Sequence, residues 1–239
     1  MENSQSWSII IFCYNEEGSI GKVAQSAYNL AEKNIPGNYE IIIVNDGSFD
    51  NTGPIVKELA RQYKSIKVVT HPVNLGIGEA LRSGYKNAKN ENICAVPADG
   101  QFDLNELVPY INIPPKTFIS FHRKTKGSYS SYRTLLSWMN RMVNQIFLGL
   151  KMNDVNWVKI YKLEELKKLD LQMRSSLIET EICSKLLITS NTMKEVPSSY
   201  HPRIAGTVKG SSLKEIKKIS REVYKLIRIV RRFKHNYKG

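Results

Sequence analysis

The residues of this sequence best suited to chemistry are carboxylate and amide side chains that directly follow short apolar runs. Asp46 follows the run IIIVN, and a carboxylate there can accept hydrogen bonds from ribose hydroxyls or from an N–H group of a nucleobase. Asp99 and Gln101 follow the run NICAVP, and their oxygens suit Mg²⁺ or Mn²⁺, with a substrate diphosphate completing the shell. Together they predict a site for a nucleotide and a divalent cation.

A second indication comes from the glycines that open a predicted helix at 77–89. Gly76 and Gly78 follow Asn74 and let the backbone approach a diphosphate, whose negative charge suits a helix N-terminus. Leu81 stands where the dinucleotide fingerprint has its third glycine, which disfavours a nicotinamide dinucleotide. The glycines therefore favour a diphosphate of another kind.

Several neighbouring polar residues have a structural interpretation as helix caps. Asn15, or a glutamate after it, suits the N-cap of a helix predicted at 18–33. Asp50 suits the N-cap of the following helix, and Asp103 with Glu106 has the spacing of a capping box. The carboxylates at the ends of the apolar runs have no such local role.

The alternation of strands and helices over the first 125 residues predicts a scaffold that brings these residues together. The predicted strands are Trp7–Cys13, Glu40–Asn45, Ile66–His71, Asn92–Pro97 and Thr117–His122. The predicted helices between them cover 18–33, 52–64, 77–89 and 104–112. This pattern is typical of an α/β fold with a mostly parallel sheet and helices on both faces, in which ligands bind at the carboxyl ends of the strands.

The second half of the chain is predicted to be more helical. The strand rhythm stops near residue 125, and helices are expected over 132–150, 163–169 and 176–189. We therefore divide the chain into a nucleotide-binding half at 1–112, a half at 113–208 that shapes the second substrate's site, and a basic C-terminal tail at 209–239.

Positive charge is concentrated in the tail. The protein has a net charge of +13, and residues 209–239 hold eleven basic and only two acidic residues. One apolar stripe at helical spacing contains Ile216, Ile219, Val223, Leu226, Ile227 and Val230. Such a helix suits the surface of an anionic membrane, and docking of the stripe on the protein's own body is the alternative. Nucleic acid is not an expected partner, because no nucleic-acid fold signature accompanies the charge.

Composition excludes other classes of protein. The three cysteines are far apart and form no CxxC pair, which excludes a disulfide scaffold and a structural zinc site and favours a reducing compartment. The N-terminal segment lacks the basic region of a signal peptide, and no window reaches the ~18 apolar residues of a spanning helix. We expect a cytoplasmic protein, peripheral at the inner face of a membrane.

Four segments in register carry a resemblance to a known family. YNEE after the first strand, NDGSFDNT after the second, NLGIG before a helix and ADGQ after the fourth strand resemble family-2 glycosyltransferases with a GT-A fold. The sequence is most similar to the dolichyl- or polyprenyl-phosphate mannosyl- and glucosyltransferase branch. Weaker matches at 148–155 and 195–206 extend the resemblance over about 200 residues and leave the tail outside.

The resemblance implies roles for the residues of the first half. Asp46 would contact the nucleobase, Glu16 the ribose, and Asp99 with Gln101 a divalent cation, Mg²⁺ or Mn²⁺, that binds the diphosphate. The other nucleotide-binding positions implied are Tyr14, Asn15, Gly47, Asn74, Gly76, Gly78 and Ala98. The usual metal motif is Asp-Ala-Asp, and Pro97 replaces its first aspartate here, which removes one carboxylate from the site.

In the second half the resemblance implies residues for the acceptor. Arg203 would bind its phosphate, and Arg123 and Arg133 could orient it or be solvated loop charges. Glu179 and Glu181 fall where relatives with sugar acceptors place a catalytic base, although ordinary acids of a helix surface are the alternative. Because they are two residues apart on a helix, they point about 200° apart, and at most one of them faces the site. Asp154 matches a further acidic position with a catalytic role.

The implied function is an inverting transfer of a hexose from a nucleoside-diphosphate sugar to an acceptor. The tail favours a polyprenyl or dolichyl phosphate at a membrane surface as the acceptor, reached directly or through a membrane-embedded partner. A transferase for a cell-surface or capsular polysaccharide intermediate is one alternative. An inactive sugar-nucleotide-binding scaffold, which lost activity with the aspartate replaced by Pro97, is the other.

Overall fold

A computed structural model describes residues 5–124, 142, 144–204 and 213–238. Within these ranges seven strands form one sheet in the order β3-β2-β1-β4-β6-β5-β7. The strands are β1 Trp7–Cys13, β2 Tyr39–Asn45, β3 Ile66–Thr70, β4 Asn92–Pro97, β5 Thr117–Arg123, β6 Lys159–Lys162 and β7 Thr192–Ser198. Six of these run parallel, and β6 is antiparallel to both of its neighbours.

Helices cover both faces of this sheet. They are α1 Ile20–Asn34, α2 Thr52–Gln62, α3 Ile77–Asn87, α4 Leu163–Lys167, α5 Ile178–Ile188 and α6 Leu213–Lys238, with a 3₁₀ helix at Leu104–Tyr110. Side chains of β1 alternate between two apolar clusters: Ile9 and Ile11 belong to the cluster that includes residues of α1 and α2, and Ile10 belongs to the one that includes residues of α3. Burial on both faces explains why the central strands are continuous apolar runs.

The sequence prediction holds closely for the first five strands and fails for two later ones. The ends of β1 to β5 lie within one residue of the predicted bounds. The strand rhythm does not stop at residue 125, because β6 and β7 follow and join the two halves in one sheet. The sequence pattern did not predict β6, because two of its four residues are the charged Lys159 and Lys162. It did not predict β7 because that strand contains Pro197, which is tolerated there since β7 lies at the edge of the sheet. Of the helix predicted at 132–150, the structure describes residues 142 and 144–150, of which 142 and 144–148 are helical.

The basic tail forms the helix α6, and part of its apolar stripe docks on the protein. Leu226, Ile229 and Val230 are buried in the cluster that includes α3 and α5, and the ammonium of Lys185 lies 5.0 Å from the ring centroid of Phe233. Of the predicted stripe, Leu226 and Val230 are therefore covered by the protein itself, as in the docking alternative, and the expectation that the stripe faces a membrane is wrong for these two residues. Among residues 221–237 of the helix, the exposed cations are Arg221, Lys225, Arg228, Arg231, Arg232 and Lys234. No helix in the described ranges has the length and hydropathy needed to cross a membrane.

Candidate active site

A cavity of about 610 Å³ opens at the carboxyl ends of β1, β2 and β4. The side chains that follow these strands meet there, as the sequence predicted. Of the predicted site residues, the cavity is lined by Tyr14, Glu16, Asp46, Asn74, Gly76, Ala98, Asp99, Gln101, Arg123, Glu179 and Arg203. Arg133 lies outside the described residues.

Asp46 is buried at one side of this cavity and is held by three donors. Its Oδ1 accepts hydrogen bonds from the backbone N–H of Leu75 at 2.9 Å and from Nδ1 of His71 at 2.7 Å, and its Oδ2 accepts from the backbone N–H of Gly76 at 2.9 Å. Nε2 of His71 is 2.8 Å from Oγ of Ser83, which fixes the ring. Asp46 thus joins the end of β2 to the loop before α3. Sequence reasoning missed His71, because a single histidine at a strand end carries no motif.

Two residues that were expected to bind the nucleotide, Asn15 and Gly47, instead hold together the loops that carry the cavity-lining residues. Asn15 has a left-handed φ of 54°, and its Oδ1 accepts a hydrogen bond from the backbone N–H of Phe49 at 3.0 Å. Gly47 has a φ of 68°, and a Cβ there would lie 2.2 Å from the carbonyl carbon of Val73. Neither residue lines the cavity, because their turns are used to fasten one loop to another.

Gly78 also departs from its expected role. A Cβ on Gly78 would lie 2.2 Å from the carbonyl oxygen of Arg174, so this glycine allows another segment to pack on α3. It does not line the cavity. The adjacent Glu79 carboxylate lies 3.3 Å from Nε of Arg174 and 3.9 Å from Nε of Arg82.

Glu16, Asp99 and Arg203 form the charged centre of the cavity. Arg203 donates a hydrogen bond from Nη2 to Oε1 of Glu16, and the same nitrogen lies 3.9 Å from Oδ2 of Asp99. Ser19 donates to Oε2 of Glu16 at 2.9 Å. Burial raises the pKa of Glu16, and the nearby Asp99 adds to this, although Ser19 and Arg203 act in the opposite direction.

The chain segment that carries Arg203 is fastened to the loop after β4. The backbone N–H of His201 donates to the carbonyl of Gln101 at 3.0 Å, and that of Ile204 donates to the carbonyl of Asp99 at 3.1 Å. Gly100 has a φ of 74°, and a Cβ there would lie 2.3 Å from Cδ1 of Ile204. These contacts hold the Arg203 guanidinium over the two carboxylates.

Asp99 and Gln101 fit a divalent cation that is shared with substrate phosphates. Oδ1 of Asp99 accepts the backbone N–H of Gln101 at 3.0 Å, and Nε2 of Gln101 donates to Oη of Tyr200 at 2.7 Å, which orients the amide. A carboxylate and an amide oxygen are hard ligands of the kind that Mg²⁺ and Mn²⁺ use. No group of three or more potential ligands from His, Cys, Asp or Glu occurs in the described ranges, in keeping with the loss of a carboxylate at Pro97.

Arg123 forms the second cationic wall of the cavity. Its Nε donates to Oδ2 of Asp154 at 2.6 Å, and its guanidinium lies 5.0 Å from the ring centroid of Trp157 and 5.6 Å from that of Tyr200. Asp154 does not line the cavity, so the structure gives it the role of positioning Arg123 rather than the expected catalytic one. The aromatic partners were missed, since they come from separate parts of the chain.

Only one of the two glutamates on α5 faces the cavity. Glu179 lines it, whereas Glu181 is fully buried elsewhere and accepts hydrogen bonds from the backbone of Gln172 and Met173 and from Nζ of Lys185 at 2.6 Å. Glu181 is therefore a structural residue, and its candidacy as a base is wrong because its oxygens are used by the fold. This agrees with the angular separation expected on a helix.

The sheet order and a nucleotide-sized cavity at the carboxyl ends of its strands define an α/β fold of the GT-A type. The sequence model of the family described as "Glycosyl transferase family 2" matches residues 8–173, and the chain belongs to this family.

Curated relatives match parts of the chain. The dolichyl-phosphate beta-glucosyltransferase ALG5A of Trichomonas vaginalis is 33% identical over 104 residues, which is 42% of this chain and 32% of that protein. The human dolichyl-phosphate beta-glucosyltransferase is 29% identical over 150 residues, which is 55% of this chain and 46% of that protein. The aligned region thus spans less than half of the length of either relative.

Solved structures share the fold. Mannosyl-3-phosphoglycerate synthase from Rubrobacter xylanophilus has a TM-score of 0.70 at 14% identity, covering 98% of this chain and 76% of that one. Glucosyl-3-phosphoglycerate synthase from Mycobacterium tuberculosis, in complex with Mn²⁺, UDP and glucosyl-3-phosphoglycerate, has a TM-score of 0.63 at 18% identity, covering 93% and 78%. At these identities the likeness concerns the fold alone.

Proposed function

We propose that this protein transfers a hexose, with inversion, from a nucleoside-diphosphate sugar to a polyprenyl or dolichyl phosphate. The observation that carries the proposal is the composition of one cavity. Three carboxylates (Glu16, Asp46 and Asp99) stand at successive strand ends, and two guanidinium groups (Arg123 and Arg203) stand beside them. The carboxylates suit a nucleoside and a cation, and the guanidinium groups suit the phosphate of an acceptor.

The proposed reaction is a single in-line displacement. A phosphate oxygen of the acceptor attacks the anomeric carbon, and the bond from that carbon to the diphosphate oxygen breaks. The products are the glycosyl phospholipid and the nucleoside diphosphate, which keeps the bonding electrons. No side chain has to remove a proton, because the attacking oxygen is already anionic.

The protein's own residues orient the two substrates. Asp46 and Glu16 would hold the nucleoside, and Arg123 would hold the acceptor phosphate, fixed by Asp154 and two aromatic rings. A divalent cation held by Asp99 and Gln101 would neutralise charge on the departing diphosphate. The exposed cations of α6 support contact with the anionic membrane that carries such an acceptor.

The proposal is tested by donor screening with the purified protein. We expect hydrolysis of UDP-glucose or GDP-mannose in the presence of Mn²⁺ or Mg²⁺, and faster turnover with product formation on a short polyprenyl phosphate. An Asp99→Asn variant should stay folded and lose turnover. Asp103→Asn is the matched control, because Asp103 caps the 3₁₀ helix by accepting from the backbone of Asn105 at 2.9 Å, a role that asparagine fills.

Three results contradict the proposal in different ways. Nucleotide binding without any turnover favours the inactive scaffold. Turnover that is equal with and without divalent cation, or that survives in Asp99→Asn, overturns the role of Asp99. Transfer to 3-phosphoglycerate, or to a glycan hydroxyl, with none to polyprenyl phosphate overturns the acceptor.

A further inference from the structure

A buried charged cluster closes the end of the cavity and has no role in the reaction described above. Glu179 accepts hydrogen bonds from the hydroxyl of Tyr85 at 2.6 Å and from that of Tyr161 at 2.7 Å. Nζ of Lys159 lies 3.1 Å from Oε2 of Glu179 and donates to the carbonyls of Val155 at 2.6 Å and of Trp157 at 2.9 Å. Three side chains from α3 and β6 thus converge on one carboxylate of α5.

The protonation states of the cluster follow from its surroundings. Burial, together with the Glu179 carboxylate, raises the pKa of both tyrosines well above the usual value, so their hydroxyls remain donors. Burial disfavours the charge on Lys159, but Glu179 outweighs it and the pKa of this lysine is raised, which keeps it an ammonium. Other titratable groups near the cluster include Asp154, which also raises the pKa of Lys159, and Cys94 and Cys183, which stay neutral thiols because burial raises their pKa.

Glu179 retains one place for a ligand. A carboxylate offers about four lone-pair positions. Tyr161 and Lys159 face Oε2, whereas Oε1 accepts a hydrogen bond from Tyr85 among the described residues. Because Glu179 lines the cavity, the remaining position of Oε1 is available to a hydrogen-bond donor from a bound molecule.

The order of the strands indicates which part of the donor reaches this end. Asp46 follows β2, Glu16 follows β1, Asp99 follows β4, and Lys159 begins β6, which is the sequence of neighbours in the sheet. Neighbouring strands are about 4.8 Å apart, so these positions form a row. Base, ribose, diphosphate and sugar follow one another in the same order in a nucleoside-diphosphate sugar.

We propose that Glu179 binds a hydroxyl group of the hexose in the donor, and that Lys159, Tyr85 and Tyr161 are positioning residues for its carboxylate. The inference rests on the proposed function and adds the subsite that recognises the sugar. It replaces the expectation that Glu179 is a catalytic base. A base would have to face the acceptor, whereas Glu179 contacts Lys159, which lies at the strand end beyond Asp99.

The test compares a nucleotide with its sugar derivative by calorimetry in the presence of Mn²⁺. The probes are UDP against UDP-glucose, and GDP against GDP-mannose. We expect Glu179→Gln to weaken binding of the sugar nucleotide at least about tenfold, as for loss of a charged hydrogen-bond partner, and to leave the free nucleotide within about twofold. Glu164→Gln, on the exposed surface of α4, is the matched control and should change neither.

Two further measurements protect the test against misfolding. Glu179→Gln leaves the Lys159 ammonium buried without its counter-ion, so the double variant Lys159→Met/Glu179→Gln is examined beside it. Wild-type protein is also titrated with the 2-, 3-, 4- and 6-deoxy forms of the donor sugar. One deoxy donor should bind about tenfold more weakly than the parent to the wild type, and no more weakly than the parent to Glu179→Gln.

The outcomes separate the alternatives. Equal loss for nucleotide and sugar nucleotide, or no loss for either, overturns the inference. Loss of turnover with unchanged sugar-nucleotide affinity also overturns it and restores the base. If the wild type binds neither pair, the proposed function fails and the inference falls with it. If the donor binds as expected but no transfer to polyprenyl phosphate occurs, only the proposed acceptor is wrong.

Discussion

Substitution of Arg203 is expected to have opposite effects on cation binding and on transfer. The guanidinium lies 3.9 Å from Oδ2 of Asp99 and is hydrogen-bonded to Glu16, so it neutralises two carboxylates at the place proposed for the divalent cation. An Arg203→Gln variant removes this charge and leaves both carboxylates available. Cation binding should become tighter, and transfer to an anionic acceptor should be lost.

The size of the effect follows from Coulomb's law. Unit charges 3.9 Å apart interact by about 1 kcal/mol in bulk water and about 4 kcal/mol at an effective dielectric constant near 20. The Arg203 side chain is 26% exposed, so solvent screens it and the lower figure applies. We expect Mn²⁺ to bind at least about fivefold more tightly to Arg203→Gln than to the wild type.

The assay is a titration of Mn²⁺ without nucleotide, followed by calorimetry or by the paramagnetic resonance of free Mn²⁺. Arg203→Lys is the control, because it keeps the positive charge and should retain an affinity close to that of the wild type. Unchanged or weaker Mn²⁺ binding in Arg203→Gln would refute the reasoning. It would mean that the guanidinium does not compete with a cation at Asp99.

Three further predictions concern the fold. Leu226→Ala should lower the free energy of unfolding by about 2–5 kcal/mol, because the buried Leu226 anchors α6. Ile227→Ala, at the partly exposed neighbouring position, should lower it less, and urea denaturation measures both values. Gly78→Ala should lower the free energy of unfolding by about 1–3 kcal/mol or more, because the new Cβ would lie 2.2 Å from the carbonyl oxygen of Arg174. Alanine normally favours a helix over glycine, so an increase in melting temperature would contradict this prediction. Burial opposes ionisation of Glu40, but its hydrogen-bond partners, Lys67 first among them, lower its pKa below 4.5. The ionised carboxylate therefore stabilises the fold above that pH, and this stabilisation is lost as the pH falls through the lowered pKa. Urea titrations at a series of acidic pH values should therefore show a shallower loss of stability in Glu40→Gln than in the wild type.

The parts of the fold that the sequence predicted are those governed by local pattern. Continuous apolar runs such as IIIF and IIIV identified the central strands, because both faces of a parallel sheet are buried. The strand β6 was missed because its four residues include two lysines, whose burial depends on Glu179 and Glu91, residues far away in the chain. No local pattern contains such a partner.

Among the residues of the candidate site, too, the sequence predicted only those that a local pattern identifies. Glu16, Asp46 and Asp99 could be found because each directly follows a strand, and parallel strands bring their ends together. The contact of Arg203 with Glu16 joins residues 187 positions apart, and no spacing rule predicts it. Asn15, Gly47 and Gly78 matched the motif but serve to fasten loops, because a motif records which residues recur and not which of them face the ligand.

The docking of α6 has a consequence for how the molecule would meet a charged surface. Leu226, Ile229 and Val230 anchor the helix to the same apolar cluster that supports α3 and α5, two helices that line the cavity. The exposed arginines and lysines of α6 are therefore fixed in position relative to the body of the protein. Attraction of these cations to an anionic layer would therefore orient the entire molecule on that layer, and would set the direction in which the opening of the cavity faces.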